Sequence, residues 1–175
     1  MALLAQGDKD LRAKADALFA KGEYAQAFEP YQTLVSNNVQ DFDLNYRYGV
    51  CAMYGGADKD EAVKFLKRST LAPTTPALAW YFLGKAYHLT YHFKDAIQAY
   101  DKFQGTADKR TLADYPVTAL LLQCRNGQNL LSNLKEIDVH NKVEVDGTDF
   151  FRFYDLSSIG GKLVVTPDEL LSSLD

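Results

Sequence analysis

From about residue 8 to residue 134, apolar side chains return every three or four positions, the rhythm of helices buried on one face. Leu11, Ala15 and Leu18 share one such face, and Gly22 stops it. Tyr24, Ala27, Tyr31 and Leu34 form the next stripe, which Ser36-Asn-Asn38 ends. Pro30 falls inside this stripe, so the helix is expected to bend or loosen by one turn there. A second pair of helices is expected over 41–74, turned at Tyr54–Asp60 and closed by Pro73, and a third over 77–105. A further helix over Thr111–Arg125 has Val117, Leu120, Leu121 and Cys124 on its apolar side and Asn126-Gly127 as its stop; a short piece follows at Gln128–Leu134. The rhythm then changes. Between Asp138 and Thr166, Val143–Val145, Phe150–Tyr154 and Lys162–Thr166 are alternating or β-branched and aromatic, and Asp146-Gly147 and Gly160-Gly161 are turn signals. Short strands are expected there, and Thr166-Pro167 opens a last helix.

The helical part has a period. Ala27 to Ala62 is 35 residues, Ala62 to Ala96 is 34, and Gly49 to Gly84 is 35. Its best-formed unit, Ala79–Phe103, carries Trp80, Leu83-Gly84, Tyr87, Ala96, Tyr100 and Phe103, which is W-x2-L-G-x2-Y…A-x3-F with Tyr in the Phe place. Tyr48-Gly49 and Ala62, Leu66 and Ser69 repeat it. On these residues the chain resembles tetratricopeptide-repeat proteins. The resemblance implies a mainly α fold: a right-handed superhelix of three helix–turn–helix repeats at 8–40, 41–74 and 77–105, with a capping helix at 111–125. The repeat domain would then span 8–135, and 138–175 would be a β-rich tail or a junction to a further domain. The glycines and alanines have a physical task in this reading. They sit where two helices cross closely, and a larger side chain would push the helices apart.

Composition narrows the class. A chain of 175 residues, 47% hydrophobic, is long enough to bury a sizeable core. The net charge is −4 with no basic patch, which argues against nucleic acid as a partner. No run of 18 apolar residues exists to span a membrane. Cys51 and Cys124 make no disulfide framework and read as buried thiols. Residues 1–6 begin with apolar Met1–Ala5 and fit either a frayed helix start or the recut end of a signal peptide cleaved after Ala5.

The tail carries a second resemblance. Asp149-Phe-Phe-Arg-Phe-Tyr-Asp-Leu-Ser-Ser-Ile-Gly-Gly-Lys162, running on to Leu170, is similar to the junction after the N-terminal tetratricopeptide region of large Bacteroidetes envelope proteins. In those proteins a WD40-like β-propeller follows, often with an OmpA-type C-terminal domain. The resemblance implies export to the periplasm and outer-membrane association. Any contact with peptidoglycan would belong to domains outside these 175 residues.

No pattern in the chain carries catalytic chemistry. His88 and His92 lie four apart, a spacing that can hold a metal on one helix face, but the Glu of H-E-x-x-H and a third ligand are missing. Ser157-Ser158 lacks the G-x-S-x-G of a nucleophile elbow, and Gly160-Gly161-Lys162 lacks the P-loop spacing. Asp58, Asp60 and Glu61 read as acids at a helix start. The expectation is therefore a protein that is not an enzyme and needs no metal or cofactor. The functional surface that remains is the inner groove of the repeats. Its candidate contacts are Arg12, Phe19, Tyr46, Met53, Leu78, Tyr81, Lys85 and His88, a mixed surface with aromatic anchors suited to a peptide or protein segment. Repeat proteins that clamp a C-terminal carboxylate use a Lys–Asn, Asn, Lys–Arg set. Here the corresponding places hold Arg12 and Asp16, Arg47, and Leu78 and Phe82, so most of that clamp is missing. The reading is a non-catalytic interaction or scaffold module of a cell-envelope protein, against a cytosolic adaptor that recruits partner peptides.

Overall fold

The computed structural model describes residues 2–55 and 58–141. Among them are eight helices and no strand: α1 (Ala2–Ala20), α2 (Tyr24–Asn37), α3 (Phe42–Tyr54), α4 (Lys59–Ser69), α5 (Ala77–Leu89), α6 (Phe93–Thr106), α7 (Lys109–Asp114) and α8 (Thr118–Asn141). The chain divides into two units, one up to Val117 and one from Thr118 on.

In the first unit each helix from α1 to α6 packs on the next, and α3 also touches α5. The result is a helical-repeat-like array of hairpins. Two of the turns share one design. Gly22 has φ +76°, with Gly22 N–H donating to Phe19 O (3.0 Å) and Glu23 N–H to Leu18 O (3.0 Å). Tyr91 has φ +59°, with Tyr91 N–H donating to His88 O (3.1 Å) and His92 N–H to Tyr87 O (2.9 Å). A left-handed residue just past the helix end lets its own amide and the next one satisfy orphan carbonyls. Tyrosine pays roughly 1–2 kcal/mol for a conformation that glycine adopts freely.

The small residues stand at close crossings. A Cβ added to Gly49 would lie 2.7 Å from Leu66 Cγ, and one added to Gly84 would lie 2.6 Å from the Tyr100 ring. Ala27, Ala62 and Ala96 are fully buried, and so are Tyr31, Leu66 and Tyr100, one turn further along each second helix. Leu34, Ser69 and Phe103 complete the stripe. The core therefore follows the sequence period. One part gathers Ala15, Tyr31, Leu34, Leu44 and Tyr48 around α1–α3, and the other gathers Val50, Leu66, Phe82 and Leu83 around α3–α6. Cys51 is buried as expected, and burial pushes its thiol up to about 12. Cys124, in α8, is also buried, with the same effect of burial on its thiol.

Helix starts follow local chemistry. Asp41 accepts from Leu44 N–H (3.0 Å), Asp58 from Asp60 N–H (3.2 Å), and Asp108 from Arg110 and Thr111 N–H (2.9 Å each). Each satisfies amides that have no partner inside the helix. Asp60 and Glu61 occupy the first turn of α4.

α2 is one helix, Tyr24–Asn37, with Pro30 inside it. Several other expectations are corrected. The helix expected at 111–125 is instead two helices, parted at Tyr115–Val117. Pro116 disfavours the helical conformation in the residue before it, and Tyr115 takes φ −128° and ψ 70°. Asn126-Gly127 does not stop α8, because one glycine inside a long helix costs only about 1 kcal/mol. α8 continues to Asn141, so residues 138–141 are helical where the β-rich tail was expected to begin. The strands expected over 143–166, and the rest of the tail, lie outside the described residues. No described helix is long and apolar enough to cross a membrane.

Candidate functional site

The face shared by α1, α3 and α5 is where the predicted contacts fall, and the structure sorts them into three groups. Arg12 belongs to an ionic cluster. It pairs with Asp16 (3.7 Å), Asp41 (3.3 Å) and Asp43. Arg47 pairs with Asp16 (3.3 Å) and Asp43 (3.0 Å), and Tyr31 Oη donates to Asp16 at 2.5 Å. Burial first, and then this bond to Asp16, raise the Tyr31 phenol above its ordinary value. The cluster ties α1 to α3. Its side chains are about a third exposed, so each pair contributes little alone. Arg12 and Asp16 therefore face each other and their neighbours.

The second group is aromatic. Phe19 meets Tyr46 (ring centroids 5.9 Å) and Tyr31 (5.9 Å), and Arg47 lies over its ring at 5.3 Å. Tyr46 meets Phe82 (6.3 Å), and Phe82 meets Tyr81 (5.3 Å). Tyr46 is 8% exposed and Met53 is 5% exposed, so both are core, with little left to offer a partner. Phe19, Leu78 and Tyr81 are half-buried and pack on the core from its edge. The interlocked rings form a rigid row across three helices.

The third group keeps reach toward solvent. Lys85 Nζ lies 5.8 Å from the centre of the Tyr54 ring and 6.0 Å from that of Tyr81, and donates to Tyr54 Oη at 3.3 Å. Among the described residues no carboxylate pairs with it. His88 sits one turn on, against Phe93 at 5.7 Å. It does not share a helix face with His92, because α5 ends at Leu89 and His92 is the N-cap of α6. His92 Nδ1 lies 2.9 Å from Thr90 Oγ1 instead.

Burial, and then the charge of Lys85, hold the His88 pKa below the ordinary imidazole value. Folded His88 thus resists a proton that the unfolded chain accepts. Its contribution to stability is intact above about pH 6.5 and is lost as the pH falls from there through the lower folded value. We expect His88→Gln to flatten the fall in melting temperature between about pH 7 and pH 5 relative to wild type. Identical slopes would contradict this placement of His88.

Three residues of this face were not singled out from the sequence. Tyr24 stacks at a tilt on Tyr54 (5.2 Å), bordering a small recess of about 450 Å³ with Gly22 and Gln26. Tyr115 meets Tyr81 (5.0 Å) and Phe82 (6.4 Å). Tyr24 opens a second helix and Tyr115 lies between helices, so the periodicity of the first helices marks neither.

A larger cleft of about 920 Å³ opens elsewhere, among α4, α5 and α6. Leu71, Trp80, Leu83 and Tyr87 give it an apolar floor, and Lys67, Lys102, Asp95 and Asp101 edge it. Trp80 and Tyr87 thus border open space as well as packing on the core. Long side chains of both signs can lay their stems across such a floor. The face of α1, α3 and α5 differs in offering a cation that, among the described residues, has no carboxylate partner, beside a preformed row of rings. The chain matches no protein-family model and no curated protein.

Proposed function

We propose that this chain is a tetratricopeptide-type, non-catalytic binding module that takes a peptide or protein segment on the face of α1, α3 and α5. The hairpin array and the period of its buried small residues support the family reading. The observation that carries the binding reading is Lys85, held between the Tyr54 and Tyr81 rings with no carboxylate partner among the described residues. A cation fixed on aromatic faces and open to a ligand attracts an anionic group beside an apolar one. The aromatic row is already ordered, so little side-chain entropy is lost when a partner docks. The ionic cluster of Arg12 and Arg47 fixes one end of this face and leaves the other end for contact. The tail's likeness to envelope proteins supports a scaffold role in the cell envelope; fractionation of cells that make the native protein checks it, and recovery only in the cytosol would favour a cytosolic adaptor.

The test is selection from a displayed peptide library, followed by titration of the selected peptides. Tyr81→Ala/Lys85→Ala is expected to weaken binding at least about tenfold, or 1.4 kcal/mol, with helicity unchanged. Equal affinity of the variant and wild type for every selected peptide would refute the groove.

A further inference from the structure

The segment between α6 and α8 crosses the same face that the proposed partner needs. Asp108 caps α7, the short helix follows, and none of its residues is buried. Tyr115 then turns inward. Its ring meets Tyr81 edge-on at 5.0 Å and Phe82 at 6.4 Å, and it packs on the core shared by α3–α6. Burial first, and then the Tyr115 phenol, raise the Tyr24 phenol above its ordinary value. Val117, two residues on, is 3% exposed. A six-residue helix does not hold itself together in water. The strap therefore keeps its place through what Tyr115 and Val117 bury. Lys85 Nζ lies 6.0 Å from the centre of the same Tyr81 ring.

We infer that Tyr115 is a tethered plug in the aromatic slot of the groove, and that the partner is a peptide whose own aromatic side chain, next to a carboxylate, displaces it. The slot is shown to accept an aromatic ring because one already fills it. The neighbouring carboxylate follows from Lys85, which has a phenol hydroxyl and two ring faces for company but no acid among the described residues. Asp114 precedes Tyr115 in the chain and pairs at 4.0 Å with Arg110, so the plug leaves Lys85 open. A plug on a short tether competes at high local concentration, and the groove admits a partner only at the expense of the strap. This inference rests on the groove reading above and adds the chemistry of the partner and a built-in competitor.

A fluorescent peptide copying residues 111–117, Thr-Leu-Ala-Asp-Tyr-Pro-Val, is a probe that needs no knowledge of the natural partner. Tyr115→Ala is expected to bind it at least tenfold more tightly than wild type does. Tyr81→Ala/Tyr115→Ala, or a probe with Ala in place of its Tyr, should lose that gain. Equal binding by wild type and Tyr115→Ala, or none by a folded Tyr115→Ala, overturns the plug. If Tyr115→Ala does not fold, hydrogen exchange on wild type decides. Saturating probe should speed exchange in α7 while α5 stays protected, and unchanged α7 exchange overturns the inference. Library-selected peptides separate the two readings. Peptides that need Tyr81 and Lys85 but bind wild type and Tyr115→Ala alike would remove the plug and leave the groove. Peptides indifferent to Tyr81 and Lys85 would remove the groove itself.

Discussion

Gly84→Leu will melt roughly 6–12 °C below wild type, the result of about 3 kcal/mol of overpacking in a chain of this size. The cause is local. Gly84 is the point where α5 crosses α6, and even a Cβ there would lie 2.6 Å from the Tyr100 ring. Tyr100 is fully buried, so its ring has no solvent side to retreat to. The helices must separate or the ring must leave its rotamer, and either opens space around Ala96 and Phe103. Gly105 supplies the control. It lies in α6 with nothing within 4 Å of an added Cβ, so Gly105→Ala should gain up to about 1 kcal/mol from helix propensity. Equal melting temperatures for Gly84→Leu and wild type would contradict the crossing.

Phe103→Ala is expected to cost about 4 kcal/mol, in the usual range for truncating a buried aromatic. Phe103 has no exposed surface, and its ring lies 5.3 Å from Tyr81. Removing it leaves a cavity under α5, directly behind the groove residue. Chemical denaturation should therefore show a large loss of stability. Ser69, the equivalent residue of the preceding hairpin, gives the comparison. Its Oγ donates to Leu66 O at 2.6 Å, so Ser69→Ala forfeits one local hydrogen bond, about 1 kcal/mol. A Phe103→Ala cost no larger than that of Ser69→Ala would show that the third hairpin is not packed as described.

How much of this was legible in the sequence depended on whether a residue's role follows from spacing. Ala27, Ala62 and Ala96 could be placed because a 34–35-residue period puts them at the same crossing, and all three are buried. Gly22 could be read as a turn because glycine favours the left-handed conformation it adopts. Tyr91 adopts nearly the same conformation and gives no such signal, so the end of α5, and with it the separation of His88 from His92, stayed hidden. Pro116 carried a readable signal through its effect on Tyr115, and it divides the helix expected at 111–125. Gly127 carried a misleading one, since α8 passes through it.

The candidate site was legible as a face rather than as a set of contacts. First-helix spacing placed Phe19, Tyr46, Tyr81 and Lys85 on one side. It could not show that Arg12 is taken up by Asp16, Asp41 and Asp43, or that Tyr46 and Met53 are buried beneath the surface. Tyr24, Tyr54 and Tyr115 complete the face from a second helix, a helix end and a connecting segment. Their arrival depends on tertiary packing, which no single-helix period encodes.

Two surfaces compete to be the binding site, the face of α1, α3 and α5 and the wider cleft at Leu71, Trp80 and Tyr87. Backbone amide shifts during titration with the tightest library-selected peptide separate them. Saturable changes are expected to centre on Tyr81, Lys85 and His88 and to reach Tyr54 and Tyr115, with Leu71, Trp80 and Tyr87 little affected. Changes centred on Leu71, Trp80 and Lys102, with Lys85 and Tyr54 unmoved, would place the binding site in the cleft and overturn the groove.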